Sequence, residues 1–144
     1  MIEIRPIQDG DMEYVQADCS QESVKFYGQL VPRGDAVTVI FDGDIVAVGG
    51  LVKYWEGVGE VWLMLTEKSR KKGVFGIIAL EAISKKMNEL IVAHNLWRVE
   101  ANVRADFPES IKMIKYFGFE YEGTKRKYTP DKCNMLIFSR IRND

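Results

Sequence analysis

Residues 61–65 read Val-Trp-Leu-Met-Leu, apolar at every position, and a short basic loop then leads into a long amphipathic helix. The strand, taken as Glu60 to Leu65, has no polar face to give to water. It fits only the middle of a sheet covered on both sides. The helix follows from Ile77, Leu80, Ile83, Met87, Leu90 and Ile91 at helical spacing, with Glu81, Ser84, Lys85, Lys86, Asn88 and Glu89 opposite, over about Val74 to Ile91. Between strand and helix come Lys68, Arg70, Lys71 and Lys72, then Gly73 and Gly76. A helix N-terminus presents unbonded N–H groups and the positive end of its dipole, and glycines let a phosphate approach the backbone. With the cations beside it, this order predicts a site for a phosphate-bearing ligand. A solvated charged loop is the ordinary alternative.

The flanking segments divide into short elements. Met1 to Arg5 alternates as a strand ending at Pro6; Asp9 and Asp11 offer caps for a helix through Val15, and Gln21 to Leu30 suits a second helix. Val37 to Phe41 and Ile45 to Tyr54 read as strands joined at Asp42-Gly43, a strong hairpin signal. Gly57 and Gly59 turn the chain into the central strand, completing a three-strand meander. Trp97, Val99, Ala101 and Val103 alternate with Arg98, Glu100, Asn102 and Arg104, so this strand buries one face. Pro108 opens a helix to Phe117, with Asp106 and Glu109 spaced as a capping box and Gly118 placed to end it. The last two strands, about Phe119 to Lys127 and Cys133 to Arg140, flank a turn at Thr129-Pro130-Asp131.

No repeat or linker interrupts the chain, so residues 1–144 are expected to form one domain. A hydrophobic content of 47% supplies a core, and a net charge of −1 argues against a general nucleic-acid binder. Cys19 and Cys133 lie far apart without metal-type spacing and read as reduced thiols. His94, the lone histidine, follows the long helix and reads as a cap or surface residue. The N-terminus carries no apolar signal region, and no run of about 18 apolar residues occurs. The expected setting is cytoplasmic, with no membrane contact and no metal.

Two local patterns add a resemblance that covers nearly the whole chain. Arg70-Lys71-Lys72-Gly73-Val74-Phe75, then Gly76, is similar to the Arg/Gln-x-x-Gly-x-Gly/Ala pyrophosphate loop of the GNAT superfamily of N-acetyltransferases. Ser110 to Phe119, ending in Gly118-Phe119 and followed by Glu122-Gly123, resembles the late helix of the branch that acetylates ribosomal-protein N-termini. The element order agrees. The resemblance implies an α+β fold: a single domain with a mixed, mostly antiparallel sheet of about seven strands, a parallel splayed central pair and about four flanking helices. It implies acetyl-CoA as cosubstrate and an amine of a small molecule or protein as acceptor, in a monomer or homodimer. Leu63 and Leu65 would offer backbone to the pantetheine arm; Arg70, Lys71, Lys72, Gly73, Val74, Phe75 and Gly76 would hold the pyrophosphate. Glu60 is the candidate base, with a strand-end surface carboxylate as its alternative role, and Glu100 is a second candidate. Ser110 is the candidate donor to the departing thiolate, or a packing residue of the helix.

Three positions depart from the pattern. Phe75 stands where a small residue is usual, Phe107 where asparagine is expected, and Ile114 where many members carry a tyrosine that protonates the departing thiolate; Tyr116 is about 200° further round the helix. A catalytically degenerate module that binds acetyl-CoA, or serves as a structural or interaction protein, is therefore the alternative. Nucleic-acid binding through Lys68 to Lys72 and Lys125-Arg126-Lys127 is a third, disfavoured by the net charge.

Overall fold

The computed structural model describes residues 1–19, 32–71 and 76–143. The expected helix at Gln21 to Leu30 and the loop positions Lys72, Gly73, Val74 and Phe75 lie outside the described residues. Seven strands, β1 (Ile2–Pro6), β2 (Asp35–Phe41), β3 (Asp44–Trp55), β4 (Val58–Leu65), β5 (Arg98–Arg104), β6 (Glu120–Lys125) and β7 (Met135–Ile141), form one sheet in the order β1-β2-β3-β4-β5-β7-β6. Every neighbouring pair is antiparallel except β4 and β5. The described helices are α1 (Asp11–Ala17), α2 (Glu67–Lys71), α3 (Ile77–Ala93) and α4 (Pro108–Tyr116).

The double-sided burial expected of β4 is present. Its Val61, Leu63 and Leu65 pack with residues of α3 and α4, including Met87, Ala79, Ile83 and Met113. Trp62 and Met64 pack on the other face with Met12 and Val15 of α1 and Val48 of β3. The deepest large side chain is Phe138 of β7, at 1% exposure, in the same cluster as Leu51, Val99 and Ala101. Asp42 and Gly43 both have positive φ, 49° and 86°, the conformation of the tight turns that match strand twist. Gly118, with φ 88°, follows α4 as its stop.

Four local expectations need correction. Neither Asp9 nor Asp11 caps α1. Gly10 does, and Asp11 lies inside the helix, where it accepts from Arg5 Nη1 at 2.7 Å, Thr38 Oγ1 at 2.6 Å and the Gln8 N–H at 2.8 Å. Asp106 does not cap α4, because Arg104 has taken its carboxylate; Phe107 is the cap residue and offers no side-chain bond. Part of the expected basic loop is helical. Thr66 closes α2 by accepting the Ser69 N–H on Oγ1 at 3.1 Å while Ser69 Oγ donates to the Thr66 carbonyl at 2.6 Å, and both residues are fully buried. Trp97 stays 42% exposed just ahead of β5, its N–H bonded to the Gly57 carbonyl at 2.8 Å. Its ring lies over Gly57, where a Cβ would stand 2.2 Å from it.

His94 is the C-cap residue of α3, and its Nε2 meets Asp35 Oδ2 at 2.6 Å. Neither cysteine is in a disulfide, and Cys19 is buried. Among the described residues no helix is long and apolar enough to cross a membrane, and no group of His, Cys, Asp and Glu could hold a metal ion.

Candidate active site

The parallel pairing of β4 with β5 covers only Val58 with Arg98, Gly59 with Val99 and Glu60 with Glu100. Both strands continue, β4 to Leu65 and β5 to Arg104, but each follows its antiparallel neighbour instead. β4 stays paired to β3 as far as Leu65 with Ala47, and β5 to β7 as far as Arg104 with Met135. The two central strands therefore part beyond Glu60. Among the described residues, backbone groups of residues 61–65 that point away from β3 have no strand partner, and these are strong, obligatory hydrogen-bonding groups. Leu63 and Leu65 lie in this stretch.

A cavity of about 180 Å³ runs along the divergence. Val61 and Leu63 line it from β4, Ala101, Asn102 and Val103 from β5, and Ser110 from α4. A second hollow of about 400 Å³ adjoins it, sharing Ser110 and Met113 and reaching Arg70 and Leu80. Ser110 thus stands where the two meet; its Oγ makes no hydrogen bond among the described residues. The two hollows run from Val61 and Leu63, just past the vertex, by way of Ser110 to Arg70. There Gly76 turns into α3 in an extended conformation, φ −63° and ψ 166°, with no side-chain cap on the first N–H groups. Arg70 is half exposed and shared between Glu109 at 3.4 Å and Glu67 at 3.8 Å. The short backbone helix carries Lys71, and Lys72 to Phe75 lie outside the described residues, so the expected pyrophosphate loop is placed only at its two ends.

Glu60 is 7% exposed. Three donors reach its carboxylate. The Tyr54 hydroxyl donates to Oε1, Asn102 Nδ2 donates to Oε2 at 3.2 Å, and Arg33 Nη2 lies 3.5 Å from Oε2. Tyr54 comes within reach because the β3–β4 register shifts between Lys53 and Trp55, so that Val52 rather than Lys53 lies opposite Glu60. Burial first, then the bond to Glu60, pushes the Tyr54 phenol up to about 12, so it stays protonated and a donor. Glu100 differs. Arg98 Nε holds it at 2.8 Å, and the same guanidinium grips Glu122 at 2.7 and 2.8 Å, with Ser139 Oγ also donating to Glu122. These bonds, Arg98's foremost, hold Glu122 down to about 2. Glu100 is thus ion-paired closely, at 2.8 Å, while the contact of Glu60 with Arg33 is longer, at 3.5 Å.

No family model matches the sequence, and no curated protein matches it. Solved structures do. Ard1 of Thermoplasma volcanium matches with a TM-score of 0.72 at 20% identity, over 99% of each chain. The fold is that of the GNAT N-acetyltransferases. The ribosomal-protein-S18-alanine N-acetyltransferase of Escherichia coli matches at TM-score 0.68 and 15% identity, over 98% of this chain and 94% of that one. A variant of the spermidine N-acetyltransferase SpeG of Vibrio cholerae matches at 0.71 and 13%, over 97% and 93%. The GNAT fold puts the parting of β4 and β5 at the centre of the sheet, with Glu60 on the α1 face and Ser110 on the α3–α4 face.

Sequence reasoning missed Tyr54 and Arg33 as partners of Glu60. Regular hairpin register from Trp55 opposite Val58 would set Lys53, not Tyr54, on the face of Glu60; the register shift between Lys53 and Trp55 reverses this, and nothing local in the sequence announces it. Arg33, ahead of β2, left no trace either. Ile114 is buried and lines the first cavity, while Tyr116, 54% exposed, lines the second hollow with Ser110 and Arg70.

Proposed function

We propose that the chain is an acetyl-CoA-dependent N-acetyltransferase acting on a primary amine of a small molecule or protein. The observation that carries the reading is the end of β4–β5 pairing at Glu60 and Glu100, with a cavity opening from that vertex toward Ser110 and Arg70. A thioester arm laid along β4 would find backbone partners in residues 61–65, and its diphosphate would lie near Arg70 and the start of α3, where N–H groups and dipole favour an anion. The full-length likeness to N-acetyltransferase structures supports the same reaction class.

In that reaction the amine must be neutral to attack. Glu60 takes its proton from the α1 face, the nitrogen bonds to the acetyl carbon, and the carbon–sulfur bond breaks. The leaving thiolate receives a proton from Ser110 on the opposite side of the parting, and solvent restores that hydroxyl. The backbone does the positioning, and Ser110 takes the donor's part that Ile114 cannot supply. The expected setting remains the cytoplasm, where acetyl-CoA is available, with the chain as monomer or homodimer.

Glu60→Gln keeps the shape and removes the base. With acetyl-CoA and either spermidine or an alanine-terminated peptide as acceptor, turnover should fall about 10²–10⁴-fold, with acetyl-CoA affinity nearly unchanged. Full activity in this variant at neutral pH would remove Glu60 from the mechanism. Absence of turnover by the parent on any amine, with acetyl-CoA still bound, would favour the degenerate module.

A further inference from the structure

We propose that Tyr54 is a positioning residue for Glu60: it fixes the carboxylate and leaves one lone-pair site, on Oε1 beside its own hydroxyl, as the point where the acceptor's proton arrives. The inference rests on Glu60 being the base. An ionised carboxylate offers about four acceptor sites, two on each oxygen. Asn102 and Arg33 both address Oε2, and Tyr54 addresses Oε1. Among the described residues, the second site on Oε1 is the one left over.

The acceptor amine therefore approaches on the Tyr54 side of Glu60. Tyr54 is 41% exposed, so its ring forms part of the wall along which the acceptor reaches the base. Asn102 ties the other oxygen to the cavity it lines. The charged and titratable groups around Glu60 are Tyr54 from β3, Arg33 ahead of β2, and Glu100 with its partner Arg98 from β5.

Tyr54→Phe keeps the ring and deletes the donor. The test is the carboxyl titration of Glu60 followed by NMR in the parent and in Tyr54→Phe, without added ligand. Losing a charge-assisted bond should raise the titration midpoint by about one pH unit, a tenfold change in proton affinity. The low-pH limb of kcat/KM should move by the same amount. Adding Tyr54→Phe to Glu60→Gln should cost no further activity, because a group acting through Glu60 has nothing left to act on. An unmoved midpoint, or a double variant much worse than Glu60→Gln, overturns the proposal. Glu60→Gln with full activity overturns the base assignment itself, and the two failures are distinct because the midpoint is read without turnover. If Tyr54→Phe is poorly folded, Tyr54→Leu with its amide spectrum intact gives the same midpoint reading, and only the midpoint is compared because the ring is lost too.

Discussion

Replacing Arg104 by methionine tests how the late part of the sheet is locked. Arg104 ends β5 with only 7% of its side chain exposed. Its Nε and Nη2 donate to Asp106 at 3.0 Å each, and Nη1 and Nη2 donate to Asp131 at 3.1 and 2.8 Å. Thr129 Oγ1 adds a 2.6 Å bond to Asp131 and accepts the Cys133 N–H at 2.8 Å. One guanidinium thus ties the end of β5, the entry to α4 and the β6–β7 turn. Removing one partner of a buried pair costs about 3–5 kcal/mol, because the other charge is stranded. Here the carboxylates are 61% and 43% exposed and can rehydrate, so the loss should fall below that range. A figure of about 2–3 kcal/mol remains, or a melting point lower by roughly 6–9 °C at about 3 °C per kcal/mol. Arg104→Lys should recover less than half, since a point charge cannot serve two carboxylates bidentately.

The pH dependence fixes the sign. Arg104, foremost, holds both Asp106 and Asp131 below the usual carboxylate range. Groups depressed in the folded state stabilise it above their unfolded value, near about 3.9, and that contribution is lost as pH falls through the folded values. The gap between parent and Arg104→Met should be full above about pH 5 and close progressively below about pH 4. Urea unfolding at neutral pH and near pH 3 measures it. A loss under about 1 kcal/mol at neutral pH, or a gap indifferent to pH, would refute the account.

Two further outcomes follow from the same geometry. Gly57→Ala places a Cβ at φ 80° and 2.2 Å from the Trp97 ring, so urea unfolding should show a loss well above about 1 kcal/mol. Ser110→Ala should lower turnover by less than Glu60→Gln does, because a thiolate is already a tolerable leaving group; steady-state kinetics at neutral pH compares the two variants.

The fold was legible where local chemistry and burial agree. An all-apolar β4 could go nowhere but the centre, Asp42-Gly43 could hardly be other than a tight turn, and Gly118 met the demand for positive φ after α4. The splay was not legible from the residues, since it arises where β4 and β5 each follow a different antiparallel neighbour; only the family resemblance suggested it. Arg104 alternates as a solvent-facing residue, and nothing local reveals that β7 beside β5 brings the Thr129–Cys133 turn over it. Glu60 read equally well as a surface carboxylate; its burial comes from Tyr54 and Asn102, reached across one strand on each side. Asp106 had the spacing of a cap and lost that role to a stronger partner, Arg104.

The central claim is that this chain binds acetyl-CoA in the parting of β4 and β5, and direct calorimetric titration of the purified protein with acetyl-CoA tests it. The account predicts saturable one-to-one binding, weakened by Arg70→Ala. It also predicts stabilisation of about 2.7 kcal/mol when ligand is at about 100 times its dissociation constant, a rise of roughly 8 °C in melting temperature. No heat of binding and an unchanged melting temperature up to millimolar acetyl-CoA and coenzyme A would contradict it.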